Sequence, residues 1–395
     1  MLFSKFSRSF LRSTVFLITA LLLSCIILTA QDASNSDKPS PSAAQTQSGS
    51  PVQSPDPGYP VIQKPVEERP QPSLPPLIDP KTLTPVYETI QEDWSNLQIG
   101  TSKLEPEKPL AGSSEEKDAF TRELVQVKWR PGDPLDLWVI LPKGVKKPPV
   151  VLYLYDYMFD SDRFRDDGWA TRVTSDGVAA VGFVSALSGH RFHDRPLKQW
   201  FVSELQESIG STVHDVKFIL DYLAQRKDVD MDRVGIFGQG SGGTIAILSA
   251  AADSRIKAVD ALEPWGDWPD FLAKSTVVQG DPDKALYVKP DFLKKVAPLD
   301  PVKWLPEIKV PVRIQQVHQD ETTPMESKEA LKAAAPKQAE VVRFEAASDL
   351  GMREGRGRLF YWVKTKVKES GPGSVTAAAV TPETKAQPAS SSQPQ

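Results

Sequence analysis

Cysteine is nearly missing from this sequence. One thiol, Cys25, in 395 residues excludes both a disulfide framework and a thiolate zinc cluster. Charge of one sign does not prevail either: 47 Lys plus Arg against 51 Asp plus Glu leave a net charge of −4, without the basic footprint that nucleic acid demands. Long apolar runs are equally scarce. The run from Val15 to Ala30 has 16 residues, short of the roughly 20 that span a bilayer, and a mean hydropathy of −0.32 excludes a multispanning membrane protein. Histidine occurs four times, at His190, His193, His214 and His318. What is abundant is proline, 35 residues against 23 glycines, and its placement divides the chain.

Residues 1–30 carry Lys5, Arg8 and Arg12 ahead of the apolar run, the charged and greasy regions of a secretory signal. Leu28-Thr29-Ala30 offers a cleavage site, Leu22-Leu23-Ser24-Cys25 resembles a lipoprotein box that would lipidate Cys25, and a retained anchor is the third outcome. Each implies an extracytoplasmic protein: periplasmic, secreted, or tethered to the envelope through this segment. Residues 31–85 hold 13 prolines and Tyr59 as their only aromatic, too little to bury a core. This stretch reads as an extended, partly polyproline tether, or else as a Pro-rich ligand for a partner domain. Residues 369–395 are again Ala, Ser, Thr and Pro without an aromatic, and read as a disordered tail. Residues 86–368 contain all nine tryptophans and have the size of one α/β domain.

Within that domain the hydrophobic period changes once. Glu123 to Trp129 alternates, Pro131-Gly132-Asp133-Pro134 turns, and Leu135 to Leu141 returns, which predicts an antiparallel hairpin. Apolar runs then follow at Val150 to Tyr155, Val178 to Val184, Val234 to Phe237, Ala258 to Leu262, Val312 to Val317 and Val341 to Phe344. Each is short and bounded by Gly, Pro or Asp, as buried parallel strands are. Helical stretches separate them: Val213 to Ala224, Gly242 to Ala251, Ser327 to Ala335 and Leu359 to Val367. The alternation predicts a doubly wound α/β sheet with helices on both faces.

One segment carries chemistry. Arg233-Val234-Gly235-Ile236-Phe237-Gly238-Gln239-Gly240-Ser241-Gly242-Gly243 is a strand, a sharp glycine-rich turn and a helix start, and it resembles the nucleophile elbow of the α/β-hydrolase superfamily. There G-x-S-x-G sets a serine at the tip of the turn, flanked by small residues where strand and helix backbones nearly touch. Aligning Gly238 and Gly242 with the two glycines puts Gly240 at the nucleophile position. Ser241 then takes the next position, whose backbone N–H serves the family's oxyanion hole. A second register makes Ser241 the nucleophile and places Gln239 and Gly243 in the two close-packed positions.

The superfamily orders its triad as Ser, then Asp or Glu, then His. His318-Gln319-Asp320-Glu321-Thr322-Thr323-Pro324 resembles the acid loop, with Asp320 at the acid position. The histidine should follow Val341 to Phe344, but Glu345 to Gly351 contains none, and no histidine lies anywhere after Asp320. A serine hydroxyl at neutral pH needs a base within hydrogen-bond reach. After Val150 to Tyr155, Asp156-Tyr157 stands where many members have His-Gly before the second oxyanion donor, and a carboxylate there would repel a developing oxyanion. The hairpin entry and the approach from Pro298-Leu299-Asp300-Pro301 to Pro311 resemble the dienelactone-hydrolase and prolyl-oligopeptidase-like branches. The likeness spans about 120–368.

The resemblance thus implies an α/β-hydrolase fold with a short helical lid and without a conventional triad. It would be an exported pseudohydrolase that holds a small-molecule or peptide ligand, or an envelope protein partner, in a pocket rimmed by Tyr157, Gly240, Trp265 and Asp320. No cofactor is implied. The alternative is an ester or peptide hydrolase using Ser241 with an unconventional base, His318, His190 or Asp349. A third reading takes His190, His193 and Asp194 as metal ligands, although a polar surface loop explains them as well. His214 reads as a helix-start residue facing solvent or a neighbour, and His318 as packing beneath the acid loop. Trp265, Trp268 and Phe271 either line the pocket or pin down the lid between Gly266 and Lys309. Arg353, Arg356 and Arg358 read as a solvated face or an anion-binding one.

Overall fold

The computed structural model describes residues 92–99, 104–130, 133–156, 162–186, 205–280, 284–355 and 358–371. Nine strands form one sheet: β1 Leu110–Glu116, β2 Phe120–Arg130, β3 Asp133–Pro142, β4 Pro149–Leu154, β5 Ala179–Phe183, β6 Asp230–Gln239, β7 Ile256–Leu262, β8 Val312–Val317 and β9 Glu340–Phe344. Their spatial order is β1-β2-β3-β5-β4-β6-β7-β8-β9. The pairs from β1 to β5 are antiparallel, and every pair from β5 through β4 to β9 is parallel. The expected hairpin is β2 and β3. β1 was not expected: Leu-Ala-Gly-Ser-Ser-Glu-Glu has no alternation and is exposed along its whole length. Only its backbone pairing with β2 makes it a strand.

The helices used below are α1 Asp167–Thr174, α2 Leu205–Gln225, α3 Ser241–Ala252, α4 Trp268–Lys274, α5 Pro290–Val296, α6 Met325–Ala334, α7 Ala347–Gly355 and α8 Tyr361–Glu369. Alternate strand residues feed two cores, because successive side chains of a strand point to opposite faces. Val150, Leu152 and Leu154 pack with Val213 and Ile219 of α2 and Ile245 of α3. Val151 and Tyr153 pack with Trp169 of α1 and with Phe360 and Val363 at α8. Tyr153 meets Trp169 and Phe360 edge-on, with ring centroids 5.3 Å apart in both cases, the geometry favoured by the ring quadrupoles.

Two expectations need correction. α2 begins at Leu205 rather than Val213, although Ser208, Gly210, Ser211 and Thr212 are indifferent or poor helix formers. Packing overrides propensity here: all four are buried, and a Cβ on Gly210 would collide with the carbonyl of Trp94. His214 therefore sits in mid-helix and is buried, neither at a helix start nor in solvent. Its Nδ1 lies 2.6 Å from Glu92 Oε1 and its Nε2 lies 2.7 Å from the Asn96 carbonyl. The stretch after β9 forms α7, and Asp349 in its first turn accepts from the Ala346 amide at 3.3 Å.

Between β7 and β8 the chain forms α4, α5 and short helical turns, and their Val296, Leu299, Leu305 and Ile308 join the core shared with α2 and α3. Trp265, Trp268 and Phe271 are all buried there. The centroids of Trp265 and Phe271 lie 5.0 Å apart. Among the described residues no helix is long and apolar enough to cross a membrane.

Candidate functional site

β6 ends in the turn Gly238-Gln239-Gly240, and α3 starts at Ser241. Gly240 has φ 57° and ψ −123°, a positive-φ conformation that a residue with a side chain adopts only with strain. Its amide donates to the Leu262 carbonyl at 2.9 Å, and its carbonyl accepts from Gly243 at 3.0 Å and Thr244 at 3.2 Å. Strand and helix nearly touch behind this tip. A Cβ on Gly238 would collide with the Gly242 carbonyl and stand 2.6 Å from the Gly243 nitrogen. One on Gly242 would lie 2.5 Å from the Leu154 carbonyl oxygen. The close-packed positions are thus Gly238 and Gly242, which puts Gly240 at the tip and makes Ser241 the first residue of the helix.

The space above the tip is filled by Asp156, two residues beyond the end of β4. A Cβ on Gly240 would lie within 2.5 Å of the Asp156 Cγ and 2.9 Å of its Oδ1. The carboxylate stands where a side chain of residue 240 would project. Asp156 Oδ1 accepts from the Ser241 hydroxyl at 3.0 Å and faces the Ser241 amide at 3.4 Å. An anion at the first amide of a helix is favoured by the helix dipole and the free N–H groups. Ser241 is fully buried, and its hydroxyl proton points at this carboxylate.

Asp320 follows β8, where its Oδ1 accepts from the Thr322 amide at 3.1 Å. Its neighbour is Glu263, the residue after β7, held at φ 47°. Glu263 Oε1 accepts from the Val317 amide, and its Oε2 lies 3.4 Å from Lys328 Nζ. Lys328 comes from α6, is 1% exposed, and donates at 2.6 Å to the carbonyls of both Val317 and Asp320. Burial pushes the Glu263 carboxyl up to about 8, with Asp320 adding to the rise and the Lys328 ammonium opposing it. At neutral pH Glu263 is mostly a neutral acid beside the Asp320 carboxylate. The acid loop thus carries a carboxyl pair balanced by one buried cation, where the superfamily resemblance places an acid and a histidine.

Of the expected rim, Gly240 and Asp320 stand at the carboxyl ends of β6 and β8. Trp265 does not reach the rim: it is fully buried, and its carbonyl accepts from Thr244 Oγ1 at 2.7 Å. Tyr157, His190, His193, Asp194 and Arg356 lie outside the described residues. His318 is exposed at the end of β8 rather than packed beneath the acid loop, with its amide on the Phe344 carbonyl at 2.7 Å. Asp349 caps α7. Sequence reasoning flagged Asp156 as an obstacle but missed its seat over Gly240, and it missed Glu263 and Lys328 as site residues. Glu263-Pro264 directly after a buried strand was the available signal. Lys328 gave none, because a lysine on an amphipathic helix reads as solvated.

No family model matches the sequence. A Bacillus subtilis protein, YtaP, whose name places it among hydrolases, is 31% identical over 136 residues, 30% of this chain and 45% of the relative. The chain thus covers less than half the length of that relative. Among solved structures, acetyl xylan esterase 1 from Thermoanaerobacterium sp. superposes with a TM-score of 0.51 at 16% identity, over 65% of this chain and 88% of the other. An acetyl xylan esterase from a Paenibacillus species gives 0.51 at 18% identity, over 69% and 91%. With the mixed nine-stranded sheet and its helices, these likenesses show that the domain has the α/β-hydrolase fold.

Proposed function

We propose that this chain is a non-hydrolytic protein on the α/β-hydrolase fold, exported and tethered at the envelope through residues 1–85, that holds a small molecule, a peptide or an envelope partner at the carboxyl ends of β6 to β8. The observation that carries the reading is the Asp156 carboxylate seated over Gly240 and against Ser241. Acyl transfer needs a nucleophile at the tip and vacant N–H donors for the oxyanion. Glycine supplies no nucleophile. The amide that would steady the oxyanion already faces a carboxylate.

A second reading rests on the same hydrogen bond and on the hydrolase name of the Bacillus relative. Ser241 and Asp156 would then form a serine–carboxylate pair hydrolysing esters or peptides. Against it, a carboxylate is a far weaker base than an imidazole, and Ser241 lies in the first helical turn rather than at the tip. Turnover of p-nitrophenyl acetate separates the two. The non-hydrolytic reading expects a rate that Ser241→Ala leaves unchanged. Turnover abolished by that exchange establishes the hydrolase.

A further inference from the structure

At the opposite edge of the sheet, by the amino ends of β8 and β9, a concavity of about 380 Å³ opens between the start of β9 and α8. Its floor is fixed. Arg313 grips the buried Asp260 through two bonds of 2.9 and 2.6 Å and donates to the Leu359 carbonyl at 2.9 Å. The Trp362 ring lies against that guanidinium, 5.3 Å away, and is pinned by its Nε1 donating to Glu340 Oε1 at 2.6 Å. The walls add Arg353, Arg358 and Lys366. Lys366 faces Glu369 at 3.1 Å, and Asp260 balances Arg313. Arg353 stacks over the Phe344 ring at 4.8 Å. Neither Arg353 nor Arg358 is paired with a carboxylate among the described residues. At the mouth Tyr361 leaves 60% of its surface in water.

We infer that this concavity is a binding site for a phosphate monoester carried on a planar ring. Two guanidiniums that lack carboxylate partners among the described residues offer paired N–H donors matched to the oxygens of a dianion, and Arg holds phosphate through such forks. The exposed Tyr361 ring gives the ligand's ring a face to stack on. The immobile floor of Arg313, Trp362 and Glu340 keeps the ordering needed on binding small. Glu340 is the one acid in the lining, and its Oε1 is already engaged by the Trp362 indole. The site is remote from Gly240 and Asp156 and does not depend on whether that centre hydrolyses anything.

The test is calorimetric titration of the full-length protein with phenyl phosphate, using inorganic phosphate and phenol as charge-only and ring-only controls. Saturable binding of phenyl phosphate is expected, tighter than that of either control and weaker at higher salt. Arg358→Gln and Arg353→Gln should each weaken it by about tenfold or more. Arg358 is exposed, and no side-chain hydrogen bond or ion pair ties it to the fold among the described residues, so its variant should melt with the parent, separating lost binding from lost structure. Absence of saturable binding overturns the site, as does binding that the Arg358 variant retains. Adsorption to phosphatidylglycerol vesicles without binding of phenyl phosphate overturns it too, by making the patch a membrane-facing one.

Discussion

Gly240 and Asp156 answer each other. The elbow conformation at φ 57° survives although no nucleophile stands on it, and glycine adopts it without the strain of roughly 1–3 kcal/mol that another residue stores there. Gly240→Ala should therefore destabilise by about that amount from backbone strain alone, and by more because the new methyl meets Asp156. Asp156→Gly in the same chain should recover the steric share. A double-mutant cycle by chemical denaturation checks this, and purely additive effects would count against the packing described. Glu263 gives a pH signature. Its carboxyl is raised to about 8 when folded, against an ordinary 4.5, by burial first. The folded state then holds the proton longer than the unfolded chain, so this group lowers stability progressively as pH rises from about 4.5 to 8. The full effect is on the order of 5 kcal/mol. Glu263→Gln should thus raise the melting temperature at pH 8 and do so much less at pH 5.

Among the elements, the crossing of β6 on α3 tolerates least. At Gly238 an added Cβ meets backbone rather than a side chain that can move, so Gly238→Ala should cost more than Gly240→Ala, about 3 kcal/mol or beyond. Equal losses in the two melts would show that the strand and helix can separate. The same crossing explains why the fold was legible. Buried parallel strands announce themselves as short apolar runs, and two glycines four apart, Gly238 and Gly242, mark where backbones meet. β1 and the first two turns of α2 were not legible, because both are held by partners distant in sequence: β1 by the β2 backbone, α2 by Trp94 and Glu92. For the candidate site, Gly240 and Asp320 could be located from spacing along their loops. The seat of Asp156 could not, because it depends on how the end of β4 turns over a neighbouring strand. Lys328 was hidden because only the loop carbonyls it binds explain a buried ammonium on α6.

At the scale of the molecule, buried charge joins distant segments. Residues 92–99 are fastened to the domain where Arg130 binds Glu92 at 2.6 Å and also pairs with Asp215, while His214 donates to Glu92 and the Trp129 indole donates to Asp215 at 2.8 Å. Burial alone would raise the Glu92 carboxyl, but bonds from Arg130 and His214 bring it down to about 2. Such a group adds stability above its ordinary value of 4.5 and loses it as pH falls towards 2. Glu92→Gln should therefore lower the melting temperature most on the plateau above about pH 6, by a margin that narrows as pH falls towards 2, and an acid limb of unchanged slope would contradict the network. On the opposite face, Asp260→Leu would strand the Arg313 guanidinium, an exchange expected to cost about 3–5 kcal/mol.

The central claim is that the elbow is occupied by a carboxylate and performs no acyl transfer. Its most direct test exposes the folded, full-length protein to a fluorophosphonate probe and reads the intact mass, with Ser241→Ala as control. The account expects no adduct on either protein. A stoichiometric adduct on the parent that the Ser241→Ala control lacks would contradict it and establish a working serine nucleophile.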